Sequence, residues 1–253
     1  MRVLVTRISF VFLISAILSG CGAEALYYGM QAAGALEAAG AAASIANDIS
    51  EEKKAEAERY YQQAVAFAKQ GQLTQAEEWI QKAIKTNPNR LQYRSYLGLI
   101  YSRMAELKED PSYYRKTNEQ YLFCLKRDAK NTALMNAIAW HDFLLNENLD
   151  DGIAYIKKAI KLDGRNPFFI GTYGCLMMQK GNYDRAVELL EEASDKHLAA
   201  GRKKVAAIDL YHLSLTQFRM GNKEKAKETL QKATQLDPHC KYRKKTEQEV
   251  TGI

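Results

Sequence analysis

Proline is nearly missing from this sequence, with four in 253 residues. In its place run long stretches of Ala, Leu, Glu, Lys and Gln, which lose little side-chain entropy on coiling, so the composition predicts an all-α fold. Cysteine is as scarce, also four. After Cys21, the odd set Cys124, Cys175 and Cys240 permits at most one intramolecular bridge, which excludes a disulfide framework and predicts buried free thiols. A charge block of one sign is lacking too. The net charge is +6, and removal of a leader holding Arg2 and Arg7 would leave 34 basic against 30 acidic residues, or +4. Blocks such as Glu51-Glu52-Lys53-Lys54 mix both signs, as a solvated helix surface does and a phosphate-binding stripe does not. Nucleic acid is not an expected partner. The most basic run, Lys241-Tyr242-Arg243-Lys244-Lys245, reads as a solubilising end. With 47% hydrophobic and 26% charged residues, a packed fold is expected rather than disorder.

Catalytic signatures are also missing. The chain contains no phosphate-cradling glycine loop, no nucleophile elbow and no paired-histidine zinc motif. His141, His197, His212 and His239 are far apart, and none has a metal-ligand neighbour at standard spacing. Trp140-His141-Asp142 places an acid beside a base, but adjacent helix residues point about 100° apart and cannot pair locally. A packed or solvated histidine is the expectation. No catalytic residue, metal, cofactor or small-molecule substrate is expected.

The chain opens with an address. Arg2 and Arg7 precede Ile8 through Leu18, a run of 11 apolar and small residues. A membrane-spanning helix needs about 20 such residues, so the run has the proportions of a signal-peptide core. Leu18-Ser19-Gly20-Cys21 follows and resembles the lipobox of bacterial lipoproteins, in which the cysteine becomes a lipidated N-terminus. The resemblance implies a signal peptide over 1–20 and acylation of Cys21, with firm membrane retention from its acyl chains. Gly22, standing where an aspartate would favour the inner membrane, implies an outer-membrane position facing the periplasm. In a host with one membrane it implies the outer face of the plasma membrane. Residues 21–50 form an Ala/Gly-rich block that reads as a frayed helix or flexible tether. An alternative is that its small residues, such as Gly29 and Ala33, pack on a partner helix.

From residue 57 the sequence repeats. In 167–200, Tyr173-Gly174 lies in a first helix, Gly181-Asn182 makes a turn, and Ala186, Leu190 and Ala193 line a second helix. The stretch 207–240 matches it with Ser214, Gly221-Asn222, Ala226, Leu230 and Ala233, and so does 57–90 with Ala64, Gly71, Ala76, Ile80 and Ala83. These positions resemble the tetratricopeptide (TPR) family, in which about 34 residues form an antiparallel helix pair. Two further copies are degenerate. The one at 91–131 carries an insertion of about seven residues around Leu107 to Tyr114, and the one at 132–166 has one extra residue in its turn. The linker from Ser194 to Ala206 lengthens a second helix before Gly201. The fold implied is a right-handed all-α solenoid of about five pairs over 51–240, with 241–253 as a C-terminal cap. Elements two repeats apart in such a stack rarely touch.

The resemblance also implies where a partner binds. The inner face of the first helices lines a groove, which by repeat position holds Tyr61, Gln92, Leu99, Asn136, Trp140, Phe143, Phe168, Met178, Tyr211, Leu215 and Phe218, with Arg103 and Arg219 near its edge. Aromatic anchors beside arginines suit recognition of a peptide or helix. The same side chains equally suit a core filled by tight coiling, or a surface covered by the tether. The function implied is a membrane-anchored, non-catalytic scaffold for protein partners of the cell envelope, in assembly or secretion. The alternative is a structural envelope subunit assembled through a helix over 25–45.

Overall fold

The computed structural model describes residues 49–252. The leader at 1–20, Cys21 and the Ala/Gly-rich block through residue 48 lie outside the described residues. Among the described residues there are eleven helices and no strand: α1 (Glu51–Lys69), α2 (Leu73–Thr86), α3 (Leu91–Lys108), α4 (Ser112–Leu125), α5 (Thr132–Leu145), α6 (Leu149–Asp163), α7 (Pro167–Gln179), α8 (Tyr183–Ala199), α9 (Lys203–Arg219), α10 (Lys223–Leu236) and α11 (Arg243–Thr251). Helices α1 to α10 form five hairpins, each helix packing on its pair partner and on the helix that follows, in a TPR-type solenoid.

Each of the five first helices ends in the same backbone turn. The amide two residues past the last helical carbonyls reaches back over a full turn: Gln72 to the Phe67 carbonyl, Asp110 to Ala105, Glu147 to Asp142, Asn182 to Met177 and Asn222 to Gln217. The residue before it in each turn is left-handed. Glycine fills that place at Gly71, Gly181 and Gly221, whereas Glu109 (φ 52°) and Asn146 (φ 53°) fill it in the two degenerate pairs. The degenerate pairs therefore keep the backbone geometry of the regular ones under a different sequence. The insertion near Leu107 lengthens α3 to 18 residues before the turn. The extra residue after α5 is taken up by Asn148, a second asparagine with positive φ (49°). Helix α8 likewise runs on to Ala199 before Gly201 reverses the chain.

The two helices of a pair are built differently. In α5, ten consecutive residues from Leu134 to Phe143 are buried, and α7 and α9 are at least as enclosed. By contrast, α6 buries only Gly152, Ile156 and Ala159. The first helices α5, α7 and α9 are thus covered on most sides, whereas α1, at the start of the stack, buries only Ala57 and Ala64.

Close approach within a pair depends on small residues. Ser214 Oγ donates to the Ala226 carbonyl at 2.7 Å. A Cβ at Gly174 would lie 2.8 Å from Leu190 Cγ, and one at Gly98 only 2.4 Å from Tyr121 Cε1. Tyr121 is fully buried, so its ring has little room to yield. We expect Gly98→Ala to destabilise the fold by about 1–3 kcal/mol, because overpacking outweighs the gain in helix propensity. A urea transition with a lower midpoint and an unchanged slope would show this; an unchanged midpoint would refute it.

Two apolar clusters make up the core, one from Ala57 to Met104 and the other from Tyr121 to Val250. Around their junction on α3, α4 and α5 lie buried polar side chains: Ser102, Thr117, Asn118, His141 and Asp142. Cys124, Cys175 and Cys240 are buried, and no two of them are joined in a disulfide.

Candidate protein-binding face

The solenoid coils tightly enough to bring distant repeats into contact. Trp140 and Phe143 on α5 meet the His212 ring on α9 at centroid separations of 6.2 and 5.3 Å, although the whole α7–α8 pair lies between them in sequence. First helices therefore face one another across the inside of the superhelix. The expectation that elements two repeats apart rarely touch fails here, because the superhelical turn is short. The chain after α10 enters the same space. Tyr242 packs on His212 at 4.7 Å and stands edge-on to Trp140 at 6.5 Å. Lys241 Nζ lies 3.1 Å from Glu106 Oε1, at the far end of α3 and 135 residues away in sequence.

The structure distributes the sequence-derived face among three environments. Asn136, Trp140, Phe143, Phe168, Met178, Tyr211 and Leu215 are buried. Of these, Tyr211 faces α10, where its hydroxyl donates to the Asp237 carbonyl at 3.0 Å. Phe168 stands edge-on to His197 at 4.5 Å, with the Arg202 guanidinium over its ring. Tyr61, Gln92, Leu99, Arg103 and Phe218 are half-buried. The Tyr61 ring lies tilted beside Tyr93 and edge-on to Tyr96, each at 5.3 Å, and Gln92 Nε2 approaches the Tyr61 hydroxyl at 3.4 Å. Arg219 is exposed and pairs with Glu249 of α11 at 3.1 Å. Glu106, His212, Lys241 and Tyr242 were absent from that face as read from sequence. No local signal marks them, since only closure of the superhelix brings them together.

Burial controls the charges at these contacts. It holds the His212 imidazole neutral, with its pKa pushed down to about 3, and the nearby Lys241, Lys245 and Arg219 reinforce this. Burial also raises the Glu106 carboxyl above its usual range, opposed by Lys241 and Arg103. At the junction of the two cores a polar chain is enclosed. Asn118 Nδ2 donates to Asp142 Oδ1 at 2.9 Å, and Asn118 Oδ1 accepts from His141 Nδ1 at 2.9 Å. Ser102 Oγ lies 3.5 Å from His141 Nε2. The adjacent His141 and Asp142 are thus linked through a residue of α4, not through each other. Burial lowers the His141 pKa to about 3 and raises that of Asp142 to about 7. Ser102 is only 1% exposed, so the array lies enclosed within the core. Among the described residues no three His, Cys, Asp or Glu side chains are grouped to hold a metal ion. Among them, too, no helix is long and apolar enough to cross a membrane.

Residues 57–90, spanning α1 and α2, and residues 210–240, spanning most of α9 and α10, each match a family model described as tetratricopeptide repeat. The body of this chain is a TPR solenoid. Its curated relatives include the mitochondrial import receptor subunit TOM70 of Rattus norvegicus and of Homo sapiens, each 26% identical over 133 residues. That match covers 53% of this chain but 21% of each relative, so the chain spans about a fifth of their length. Among solved structures, MamA superposes with a TM-score of 0.56 at 17% identity, covering 72% of this chain and 92% of that one. A thermophilic TPR protein of Thermus thermophilus, TTC0263, gives 0.55 at 15% identity, covering 77% and 99%. YrrB, described as a TPR protein with an unusual peptide-binding site, gives 0.53 at 18% identity, covering 75% and 90%. At these identities the likeness is one of fold. No enzyme family is indicated by these matches.

Proposed function

We propose that this chain is a lipid-anchored TPR scaffold of the cell envelope, held at the outer membrane through Cys21 and binding protein or peptide partners on its inner face without catalysis. In a host with one membrane, the anchor would sit on the outer face of the plasma membrane. The observation that carries the binding half is the mixed face on α1 and α3. Half-buried Tyr61, Gln92, Leu99 and Arg103 there join aromatic, apolar and cationic chemistry on two rigid helices. The import-receptor relatives and the peptide-binding site in the description of YrrB agree with such a use. The anchoring half rests on the lipobox-like Leu18-Ser19-Gly20-Cys21. An anchored scaffold gains effective concentration at the membrane surface, so a face of modest affinity still holds its partners.

Fractionation and cross-linked co-purification from envelopes test both halves. Wild type should remain with membranes, and Cys21→Ser should appear in the soluble fraction. A variant combining Gln92→Ala, Leu99→Ala and Arg103→Glu should keep its helical circular dichroism and lose the partners that wild type recovers. If both proteins recover the same partners, the face is not the binding surface. If Cys21→Ser stays with membranes, the anchor lies elsewhere.

A further inference from the structure

We propose that the Lys241–Tyr242 segment is a displaceable strap lying in the inner face, and that the partner replacing it is a protein segment carrying an aromatic residue beside a basic one. The proposal rests on the inner face being the binding face. The strap closes the superhelix from the end of α10 to the end of α3, across 135 residues of sequence. Glu106 is the receiving group, with its side chain only 10% exposed, and Lys241 lies on its carboxylate. A carboxylate so enclosed is costly to leave without a cation. Beside it, the rings of Trp140 and His212 receive the Tyr242 ring. An ammonium on a carboxylate and a ring between rings are what the strap supplies, and a competing segment must supply the same.

The strap is held at a few points: Cys240 and Val250 join the larger apolar cluster, and Tyr242 packs against it. Helix α11 is nine residues long, buries only Thr246 and Val250, and has no side-chain cap at its start. A helix this short is marginal by itself and depends on its docking contacts. Of those contacts, the Arg219–Glu249 pair is at the surface. Elements with few buried contacts open at far lower cost than the core, so the strap can leave while α5 and α9 stay folded.

The test uses the full chain and a labelled synthetic peptide, Pro-His-Ser-Lys-Tyr-Arg-Lys-Lys-Thr-Glu, which copies residues 238–247 with serine for the cysteine. By fluorescence anisotropy, the variant Lys241→Ala, Tyr242→Ala should bind this peptide at least ten-fold more tightly than wild type. Adding Glu106→Gln to that variant should remove most of the gain, and a peptide with glutamate for its lysines should not bind. Should the double variant lose its helical spectrum, Lys241→Ala alone takes its place with the same expectations. In wild type, amide exchange in 241–252 should be much faster than in α9. Equal peptide affinity in wild type and strap variant, or equally slow exchange in the two segments, overturns the proposal. Peptide uptake as described, combined with envelope partners indifferent to the inner-face substitutions, would show a displaceable strap but overturn its partner together with the scaffold reading. The reverse pattern would remove the strap alone.

Discussion

Replacing Asn118 with alanine should destabilise the protein by about 2–4 kcal/mol, among the largest losses available to one polar side chain here. Its amide makes two hydrogen bonds, donating to Asp142 and accepting from His141, both at 2.9 Å and both enclosed. A typical net hydrogen bond contributes only about 1 kcal/mol, but truncation here leaves two buried groups, on adjacent residues of α5, without that partner. Neither is easily solvated, since His141 is 3% and Asp142 2% exposed. The site also lies at the junction of the two apolar clusters, so the loss should loosen α3 and α4 against α5. Urea unfolding gives the magnitude, and a double-mutant cycle with His141→Phe gives the coupling, expected to exceed about 0.5 kcal/mol. A loss below that figure in the single variant would mean that the buried chain contributes little.

Acidification should be the second large effect. Burial holds His141 and His212 neutral down to about pH 3 and His197 down to about pH 4. Unfolded, each takes up a proton near pH 6.5. Between those limits the unfolded chain binds more protons than the folded one, so stability falls as the pH falls. Asp142 works in the opposite direction. Its folded pKa of about 7 exceeds the unfolded value near 4, so its contribution rises as the pH falls through that window. Three histidines against Asp142, with the raised Glu106 acting in the same direction as Asp142, leave a net excess of at most about two protons on the unfolded chain, a limiting slope of no more than roughly 2–3 kcal/mol per pH unit. The urea midpoint should therefore drop steeply between pH 6.5 and 4.5. His212→Phe, placed among Trp140, Phe143 and Tyr242, should keep the packing and reduce the slope by about half. A midpoint flat across that range would show that the histidines do not stay neutral in the folded state.

Much of the fold was legible because its determinants are local. Ala64, Gly174 and Ser214 recur where two helices must touch, and Gly71, Gly181 and Gly221 recur where a first helix must turn back. Both constraints act over a few residues, so spacing alone reveals them. The degenerate pairs were harder to read because Glu109 and Asn146 adopt the left-handed turn without being glycine. The turn's own backbone hydrogen bonds, Asp110 to Ala105 and Glu147 to Asp142, hold them there, and asparagine enters that region more readily than glutamate does.

The face for a partner was legible only in outline. Repeat position assigned Trp140, Phe168 and Tyr211 to one inner surface, but repeat position carries no information about superhelical pitch. That pitch sums small rotations at every interface, including those that the long α3 and long α8 alter. The sequence by itself determined an all-helical repeat with a lipobox-like address, because helix propensity, turn chemistry and spacing are properties of neighbouring residues. Only the tertiary structure decided that Trp140 and His212 meet, that Asn118 joins His141 to Asp142, and that Lys241 reaches Glu106. Those contacts depend on how far the stack turns, a collective quantity that no short stretch of sequence encodes.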